Sequence, residues 1–309
     1  MITHRSDRTL AIRALTIAAP YVRLYKGKTF VVKAGGGMFA DTATTRALIE
    51  QIAILHFFGV RVVLVHGGGP QLNELAAALG VPTRMVAGRR VTDEKSIDLT
   101  AMVLSGLLNT RVLAICRALD IAAVGVSGVD AGLVRAHRRP PVSVDGELID
   151  FGLVGDIDAI DATALVKLLD GGLMPVVSPL SADESGTLLN VNADTVAAAL
   201  GAALGAEKLI LCTGAPGILA NVEDPGSLIS YTDLRGLERL RAAGRIADGM
   251  LPKARAIEDA LRGGVRRVHV VSYRSAEGIL GEVFTNEGSG TLVVADIEAL
   301  SPAEQQGTT

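Results

Sequence analysis

Tryptophan is absent from the 309-residue sequence, and aromatic residues make up only 3% of it. The hydrophobic residues, 49% of the chain, are therefore mostly aliphatic, and Ala, Val, Leu and Ile must build the core. Cysteine is scarce as well: Cys116 and Cys212 lie far apart in apolar surroundings, without the spacing of a metal site. We expect two core thiols rather than a disulfide or a zinc site, which suits a reducing cytoplasm.

A strong excess of one charge is also lacking, since 30 basic and 33 acidic residues give a formal net charge of -3. This balance gives no electrostatic reason to expect binding to nucleic acid or to a membrane surface. No apolar run approaches the length of a membrane span, and the N-terminus lacks a signal-peptide core. We therefore expect a cytoplasmic protein, long enough for one large α/β unit or for two domains with sizeable cores.

The stretch TFVVKAGGG, residues 29–37, is the first strong motif. A short β-branched run predicts a buried strand that ends at Lys33 and is followed by three glycines. Asp41 then suits the N-cap of a helix. Such a turn is either a simple connection or a phosphate cradle, in which backbone N–H groups and a lysine meet. The motif alone does not decide between the two.

A second unit repeats this pattern, with a strand at residues 61–65, the turn HGGGP and a helix closed by Gly80. Two successive strand–glycine–helix units predict parallel neighbouring strands whose turns emerge at one edge of the sheet. Together the turns could hold a larger anion than one turn alone. His66 could act as a base, but a histidine that ends a buried strand is more often structural.

Polar residues follow in the middle of the chain. Arg89 and Arg90 precede a helix predicted over residues 94–118, with Thr92 or Asp93 as its cap, and either arginine could clamp a carboxylate. Residues 133–151 predict β-hairpins that could form a lid. Further on, NVNAD at residues 190–194 leads into an alanine-rich helix that Asn192 could cap.

The pattern restarts near residues 205–207, where we place a domain boundary. A strand ending at Cys212 precedes the turn TGAPG, and a helix is predicted over residues 232–243. DGMLPK at residues 248–253 then opens another helix, with Pro252 in its first turn. A lysine at a helix start is unfavourable unless an anion is bound there, so Lys253 is a phosphate candidate.

These parts suit phosphoryl transfer, which needs positioning and charge neutralisation more than covalent chemistry. Lys33 and Lys253 would stabilise the moving phosphoryl, Asp194 could hold both lysines, and a magnesium ion would bridge the nucleotide phosphates. The Walker A pattern GxxxxGK[ST] is absent, which excludes a P-loop enzyme.

From about residue 15 to residue 294, the sequence resembles the acetylglutamate kinases of the amino-acid kinase family. The resemblance rests on VVKAGG at 31–36, VHGGGPQ at 65–71, RVTD at 90–93, NVNAD at 190–194 and DGMLPK at 248–253. It implies an αβα sandwich with a mainly parallel central sheet. Residues 1–25 would form an arm helix, 26–205 a lobe for the amino-acid substrate and for dimerisation, and 206–309 an ATP-binding lobe.

The resemblance also implies a role for each matching residue. Lys33, Lys253 and Asp194 match the catalytic positions. Gly68, Gly69, Arg90 and Asn190 match positions that bind the substrate, N-acetyl-L-glutamate, with Arg90 on its α-carboxylate. The positions that match the site of the nucleotide, ATP with Mg²⁺, are Gly35, Gly36, Thr213, Gly217, Asp248 and Met250. No residue is assigned as a metal ligand.

Three positions depart from the family pattern. Ala34 replaces an aromatic residue or leucine, which should matter little. Gly37 stands where asparagine is common, and Gly214 stands where an aspartate usually follows the Thr or Ser of the nucleotide loop. The last departure bears on ATP affinity rather than on the fold.

Two other functions remain open at this point. One is a kinase for a related acylated or carrier-linked amino acid of the aminoadipate type, and the other is a regulatory kinase-like domain without turnover, as in some acetylglutamate synthases. The resemblance further implies a homodimer that arm helices link into a hexamer. L-Arginine is a candidate effector, although Glu277 stands where regulated members usually carry a histidine.

Overall fold

The computed structural model describes residues 5–224, 226–246, 250–275, 277–285 and 288–298. One eight-stranded sheet runs through the molecule in the order β14-β16-β15-β13-β1-β2-β10-β5. Its strands are β1 Thr29–Ala34, β2 Arg61–His66, β5 Ala123–Ser127, β10 Met174–Ser178, β13 Lys208–Thr213, β14 Tyr231–Asp233, β15 Arg267–Ser272 and β16 Thr291–Val294. All neighbours are parallel except β15 and β16. The predicted mainly parallel α/β sheet is confirmed.

Helices cover both faces of this sheet. They are α1 Arg5–Tyr25, α2 Thr42–Phe57, α3 Gly69–Ala78, α4 Glu94–Ala101, α5 Asn109–Ala118, α6 Thr163–Asp170, α7 Ala193–Ala203, α8 Leu234–Ala242, α9 Leu251–Arg262 and α10 Gly278–Phe284. Alternation along the strands divides the core into two layers. In β1, Phe30 and Val32 face the layer of α2, α5 and α10, whereas Val31 faces the layer of α7 and α9. Lys33, two residues after Val31, therefore faces α7 and α9.

Side-chain caps fix the beginnings of several helices, as the sequence predicts. Asp41 accepts a hydrogen bond from Thr44 N at the start of α2, and Asp93 accepts one from Ser96 N at the start of α4. Asn192 accepts from the backbone of Asp194 and Thr195 at the start of α7. These caps satisfy N–H groups that have no partner within the helix, and they set the first turn of α7 beside the sheet.

The predicted helix over residues 94–118 is continuous, but its middle, Met102–Leu108, is a π-helical segment between α4 and α5. Contrary to the sequence-based expectation, Glu94–Ala118 is long and apolar enough to cross a membrane by length and composition. Core helices of globular domains also pass this test, and 44% of its most apolar window is buried in the fold. Leu104, Leu108 and Val112 pack into the core.

Smaller sheets lie beside the central one. β6 Val134–Arg138 pairs with β9 Gly155–Ile160 and β11 Leu180–Ala182, and β11 with β12 Leu188–Asn190. The hairpin β7 Val142–Val144 and β8 Glu147–Ile149 turns at Asp145-Gly146, both with positive φ, which confirms the prediction there. A second hairpin, β3 Arg84–Val86 with β4 Arg89–Val91, carries Arg90 and was not predicted.

The predicted arm helix is present as α1, which begins at Arg5 in the described residues, and Pro20 lies inside it without ending it. Contacts after the proline hold the last turns in place, because Tyr21 packs edge-on against Phe284 and Tyr25 against Phe30. Thr232 lies in β14 rather than in a helix, since Asp233 caps α8 two residues later than predicted.

Both cysteines are buried thiols, as predicted, and burial raises the pKa of Cys116 to about 11 and that of Cys212 to about 12.

A buried polar cluster joins β13, β15 and α10. Lys208 Nζ lies 2.9 Å from His269 Nε2, and His269 Nδ1 lies 2.8 Å from Glu282 Oε1. Burial lowers the pKa of His269 to about 4, which favours a neutral ring. A neutral ring can donate from Nδ1 to Glu282 and accept from Lys208 at Nε2, and both distances fit this arrangement.

Candidate active site

The two glycine turns touch each other where β1 and β2 end. A Cβ added at Gly36 would lie 2.6 Å from Pro70 Cδ and 3.0 Å from the backbone nitrogen of Gly69. Only glycine fits such an approach. Gln71 Nε2 then donates to the Gly36 carbonyl oxygen at 2.9 Å, which ties the first turn to α3. The predicted neighbouring turns at one edge of the sheet are confirmed.

Lys33, Asp194 and Lys253 meet beside these turns. Lys33 Nζ lies 2.8 Å from Asp194 Oδ1, and Lys253 Nζ lies 3.0 Å from Asp194 Oδ2. The three side chains come from β1, α7 and α9, and the close packing of α7 on α9 brings them together. Lys253 lies in the first turn of α9, behind Pro252, as predicted.

The charge cluster is buried, so its charges interact strongly with one another. Lys33 is 5% exposed and Asp194 is 4% exposed. Burial lowers the pKa of Lys33, and the neighbouring Asp194 charge opposes that shift. Burial also acts to raise the pKa of Asp194, but the charges and hydrogen bonds of Lys33 and Lys253 outweigh it and hold the pKa below its ordinary value. The described cluster carries two cations and one anion, so it attracts a further anion.

Gly35 and Gly68 keep space open around the cluster and the second turn. A Cβ on Gly35 would lie 3.7 Å from Lys33 Nζ, so this turn folds directly over the ammonium group. A Cβ on Gly68 would lie 2.5 Å from Leu108 Cδ1 and 2.6 Å from Leu104 Cδ2. The π-helical segment thus presses against the second turn, and π-helical turns often occur at functional sites.

Arg90 and Asn190 each form hydrogen bonds with neutral side chains. Arg90 donates to Thr83 Oγ1 at 3.2 Å and to Asn73 Oδ1, and it forms no ion pair with a described carboxylate. Burial lowers its pKa. Asn190 Nδ2 donates to Thr92 Oγ1 at 3.2 Å. Arg90 is held by neutral acceptors, so its guanidinium can still take a carboxylate ligand.

Two of the other predicted nucleotide residues, Thr213 and Gly217, begin and end the turn after β13. Thr213 ends β13 and donates from Oγ1 to the Ala215 carbonyl oxygen at 2.9 Å. Gly217 is buried, with Leu228 Cδ1 and Thr291 Oγ1 each 2.6 Å from a Cβ added there, which gives it a packing reason to be glycine. Met250 caps α9 and packs against the core. Asp248 lies outside the described residues.

His66 is enclosed in the fold, as is more frequent for a histidine that ends a buried strand. It is fully buried, its Nε2 lies 3.2 Å from Asn109 Nδ2, and burial lowers its pKa to about 4.

Sequence reasoning missed two residues beside the glycine turns, Gln71 and Tyr273. Gln71 follows directly after the second glycine motif, which was a usable signal. Tyr273 follows β15 without any motif around it.

This sheet, with a charge cluster and paired glycine turns at the ends of its parallel strands, is the architecture of the amino acid kinases. The model of the amino acid kinase family matches residues 28–272. An acetylglutamate kinase from Myxococcus xanthus is 50% identical over 300 residues, 95% of this chain and 97% of that protein. One from Symbiobacterium thermophilum is 42% identical over 281 residues, 91% of this chain and 96% of that protein.

Solved structures agree with this assignment. N-acetylglutamate synthase from Neisseria gonorrhoeae, solved with coenzyme A and N-acetyl-glutamate, has a TM-score of 0.80 at 28% identity. The match covers 96% of this chain and 67% of the synthase. The same synthase was also solved with coenzyme A and L-arginine, again with a TM-score of 0.80. The chain belongs to the amino acid kinase family and, within it, to the acetylglutamate kinases.

Proposed function

We propose that this kinase transfers the γ-phosphoryl group of ATP to the γ-carboxylate of N-acetyl-L-glutamate, forming N-acetyl-L-glutamyl 5-phosphate and ADP for arginine biosynthesis. The observation that carries the proposal is the buried Asp194 between Lys33 and Lys253, directly beside two glycine turns. The names of the relatives supply the substrate. The geometry supports the reaction type, because it gathers positive charge where a phosphoryl group needs it.

The chain's own groups have distinct roles in this reaction. Lys33 and Lys253 neutralise the oxygens of the phosphoryl group while its bond to ADP breaks and its bond to the substrate carboxylate forms. Asp194 touches both lysines and holds them at a fixed separation. The backbone of Gly35, Gly36, Gly68 and Gly69 can approach the phosphates closely, since no side chain intervenes. A γ-carboxylate is ionised at neutral pH, so the reaction needs no general base.

We propose that Mg²⁺ arrives bound to the nucleotide. No group of three or more His, Cys, Asp or Glu side chains in the described residues could hold a metal ion. Asp194, the carboxylate of the cluster, already engages both lysines. Magnesium often binds through substrate phosphates and waters rather than in an all-protein cage, so this set of donors fits. Bound there, the ion would neutralise phosphate charge.

The two parts of the sheet divide the substrates between them in this proposal. Residues 26–205 would bind N-acetyl-L-glutamate near Arg90 and Asn190. Residues 206–309 would bind ATP near Thr213, Gly217, Asp248 and Met250. The cluster of Lys33, Asp194 and Lys253 spans both parts, which suits transfer between two ligands.

Arg90→Lys should raise KM for N-acetyl-L-glutamate far more than it lowers kcat. The guanidinium would hold the α-carboxylate, which does not react, so its interaction is the same in the ground state and the transition state. Loss of a bidentate, charge-assisted contact of about 1.5–3 kcal/mol predicts a rise of roughly 10- to 100-fold. Steady-state kinetics with ATP saturating measures both constants, and an unchanged KM with a reduced kcat would contradict this role.

ADP release from a panel of substrates tests the function itself. The panel contains N-acetyl-L-glutamate, N-acetyl-L-aspartate, an acylated aminoadipate and free glutamate, each assayed with and without Mg²⁺. We expect turnover with N-acetyl-L-glutamate to exceed that with the others. Preference for the aminoadipate compound would favour the carrier-linked class, and ligand binding without turnover would favour a regulatory domain like the kinase-like part of a synthase.

We also propose a homodimer that α1 arms link into a hexamer. Large apolar side chains along α1 are strongly exposed, with Leu10 at 69%, Leu15 at 62% and Ile17 at 61%. Near the end of α1, Tyr21 and Tyr25 pack on the body. Met102, 58% exposed, and Leu107, 40% exposed, both lie on the helix of residues 94–118 and leave apolar surface there for a dimer through the N-terminal part.

Deletion of residues 1–25 should reduce a hexamer to dimers while the sheet stays folded. The apolar side chains of α1 are shielded from water only if another copy of the chain covers them. Deletion of the arm should therefore weaken assembly more than it lowers the stability of the fold. Light scattering of the full and shortened chains gives the two masses, and circular dichroism checks the fold. If the shortened chain keeps the assembly state of the parent, then α1 is only a cap on the sheet.

L-Arginine is our candidate effector, because a structural neighbour was solved in complex with it. The supporting observation on this chain is the contact between α1 and α10, made by Tyr21 and Phe284. It joins the proposed assembly arm to the C-terminal part of the molecule. A titration of activity with L-arginine measures the effect.

A further inference from the structure

Tyr273 stands between two glycine turns of the candidate site. Its hydroxyl oxygen would lie 2.9 Å from a Cβ added at Gly37 and 3.4 Å from one added at Gly214. Gly37 belongs to the turn after β1, and Gly214 belongs to the turn after β13. The tyrosine itself follows β15, and its backbone N–H donates to the Thr213 carbonyl oxygen at 2.9 Å. One aromatic ring therefore lies between the turn after β1 and the turn after β13.

The phenol of Tyr273 has no hydrogen-bond partner among the described residues. Gly37 and Gly214, the residues that it faces, have no side chains to offer one, and a half-buried tyrosine hydroxyl usually finds a partner. The ring packs in part against the core, and it also lines a cavity of about 280 Å³ together with Ala43 and Ala47 of α2. The free hydroxyl is thus aimed between the turns without being enclosed there.

We propose that the Tyr273 hydroxyl donates a hydrogen bond to the phosphate chain of the bound nucleotide. This inference rests on the proposed function, in which Lys33 and Lys253 hold the transferring phosphoryl group and the part after residue 205 holds the rest of ATP. A phosphate chain that runs from the lysine cluster towards the turn after β13 would pass the Tyr273 hydroxyl, which lies beside Gly37 and Gly214. A phenol donates well to a phosphate oxygen, and the two glycines keep side chains away from the hydroxyl.

This role makes Tyr273 a determinant of nucleotide affinity rather than of the chemical step. The phosphates that do not react keep their charge throughout the reaction, so the hydrogen bond contributes equally to the ground state and the transition state. The acyl amino acid lies on the other side of the cluster, near Arg90. Loss of the hydroxyl should therefore affect one substrate only.

Tyr273→Phe tests the inference, because it removes the hydroxyl and keeps the ring. We expect KM for Mg·ATP to rise about 10- to 100-fold, the range for a hydrogen bond to a charged group, with kcat and KM for N-acetyl-L-glutamate near wild type. Calorimetry with Mg·ADP alone should show a similar loss of affinity. Wild-type affinity for Mg·ADP in the variant would overturn the proposal and leave the ring a packing role only.

Gly37→Ala provides a second, independent variant. Its methyl group would lie 2.9 Å from the hydroxyl oxygen, closer than ordinary contact, and should push the ring towards the cavity. We expect weaker Mg·ADP binding in Gly37→Ala, and no further loss when Gly37→Ala is added to Tyr273→Phe. Fully additive losses would contradict an effect that acts through the hydroxyl.

Binding and turnover together separate this inference from the proposed function. If the wild-type protein binds Mg·ADP but phosphorylates no acyl amino acid, the proposed function fails, whereas the Tyr273 inference is still decided by the binding measurement. If turnover is normal and Tyr273→Phe changes nothing, only the Tyr273 inference fails. Thermal denaturation of each variant verifies that it is folded.

Discussion

Lys33→Ala and Lys253→Ala should each lower kcat by about 10²- to 10³-fold while the chain stays folded. Each removes one preorganised positive charge from the place where the phosphoryl group moves, next to Asp194 and the glycine turns. The charge is worth most in the transition state, because the site is buried and water screens it poorly. Steady-state assays at saturating ATP and N-acetyl-L-glutamate measure the loss.

An exposed lysine supplies the matched control for these variants. Lys167 lies on the surface of α6, and Lys167→Ala should leave kcat unchanged. Circular dichroism and thermal denaturation confirm the fold of each variant. Turnover near wild type in Lys33→Ala or Lys253→Ala, with both substrates saturating, would remove that lysine from the mechanism.

Asp194→Asn should impair both stability and turnover. The change leaves the buried Lys33 and its neighbour Lys253 without their shared counter-ion, and breaking a buried pair typically costs about 3–5 kcal/mol of unfolding free energy. The lysines would also separate, and a misplacement of about 1 Å can cost roughly 10²-fold in rate. Urea denaturation and kinetics measure the two effects.

Acid should diminish the stability difference between wild type and Asp194→Asn. The folded chain holds the pKa of Asp194 below its ordinary value of 3.8. The contribution of ionised Asp194 to the free energy of unfolding is therefore fully present above pH 3.8. It is lost as the pH falls through the lowered pKa of the folded state. Asp170→Asn is the control, since Asp170 pairs with Arg61 at the surface, where a salt bridge contributes only about 0–1 kcal/mol. An Asp194→Asn variant as stable as Asp170→Asn would contradict a stabilising role for the buried cluster of Lys33, Asp194 and Lys253.

Local patterns predicted the backbone of the site. The β-branched run before Lys33 predicted a strand. Alternation of side chains within that strand determines the face of the sheet on which Lys33 lies. Pro252 marked the start of α9 and so placed Lys253 in its first turn. Asn192 behaved as the cap that its sequence context indicated. These features depend on neighbours within a few residues, which a single sequence contains.

Features that depend on tertiary packing could not be predicted in the same way. The hairpin of β3 and β4 has three-residue strands without a buried alternating face, so nothing in its pattern distinguishes it from a loop. Asp233 ends a strand and caps a helix at once, which shifted the predicted boundary. Tyr273 gained its position only because β15 lies beside β13, whose turn carries Gly214.

The central claim is that this charge cluster transfers a phosphoryl group to a carboxylate, and the product tests it most directly. An acyl phosphate reacts with hydroxylamine to give a hydroxamate, so the reaction of ATP with N-acetyl-L-glutamate can be run in its presence. We predict hydroxamate in equal amount to ADP with wild type, and neither product above background with the Lys33→Ala, Lys253→Ala double variant. ADP without hydroxamate, or equal hydroxamate from the double variant, would contradict the account.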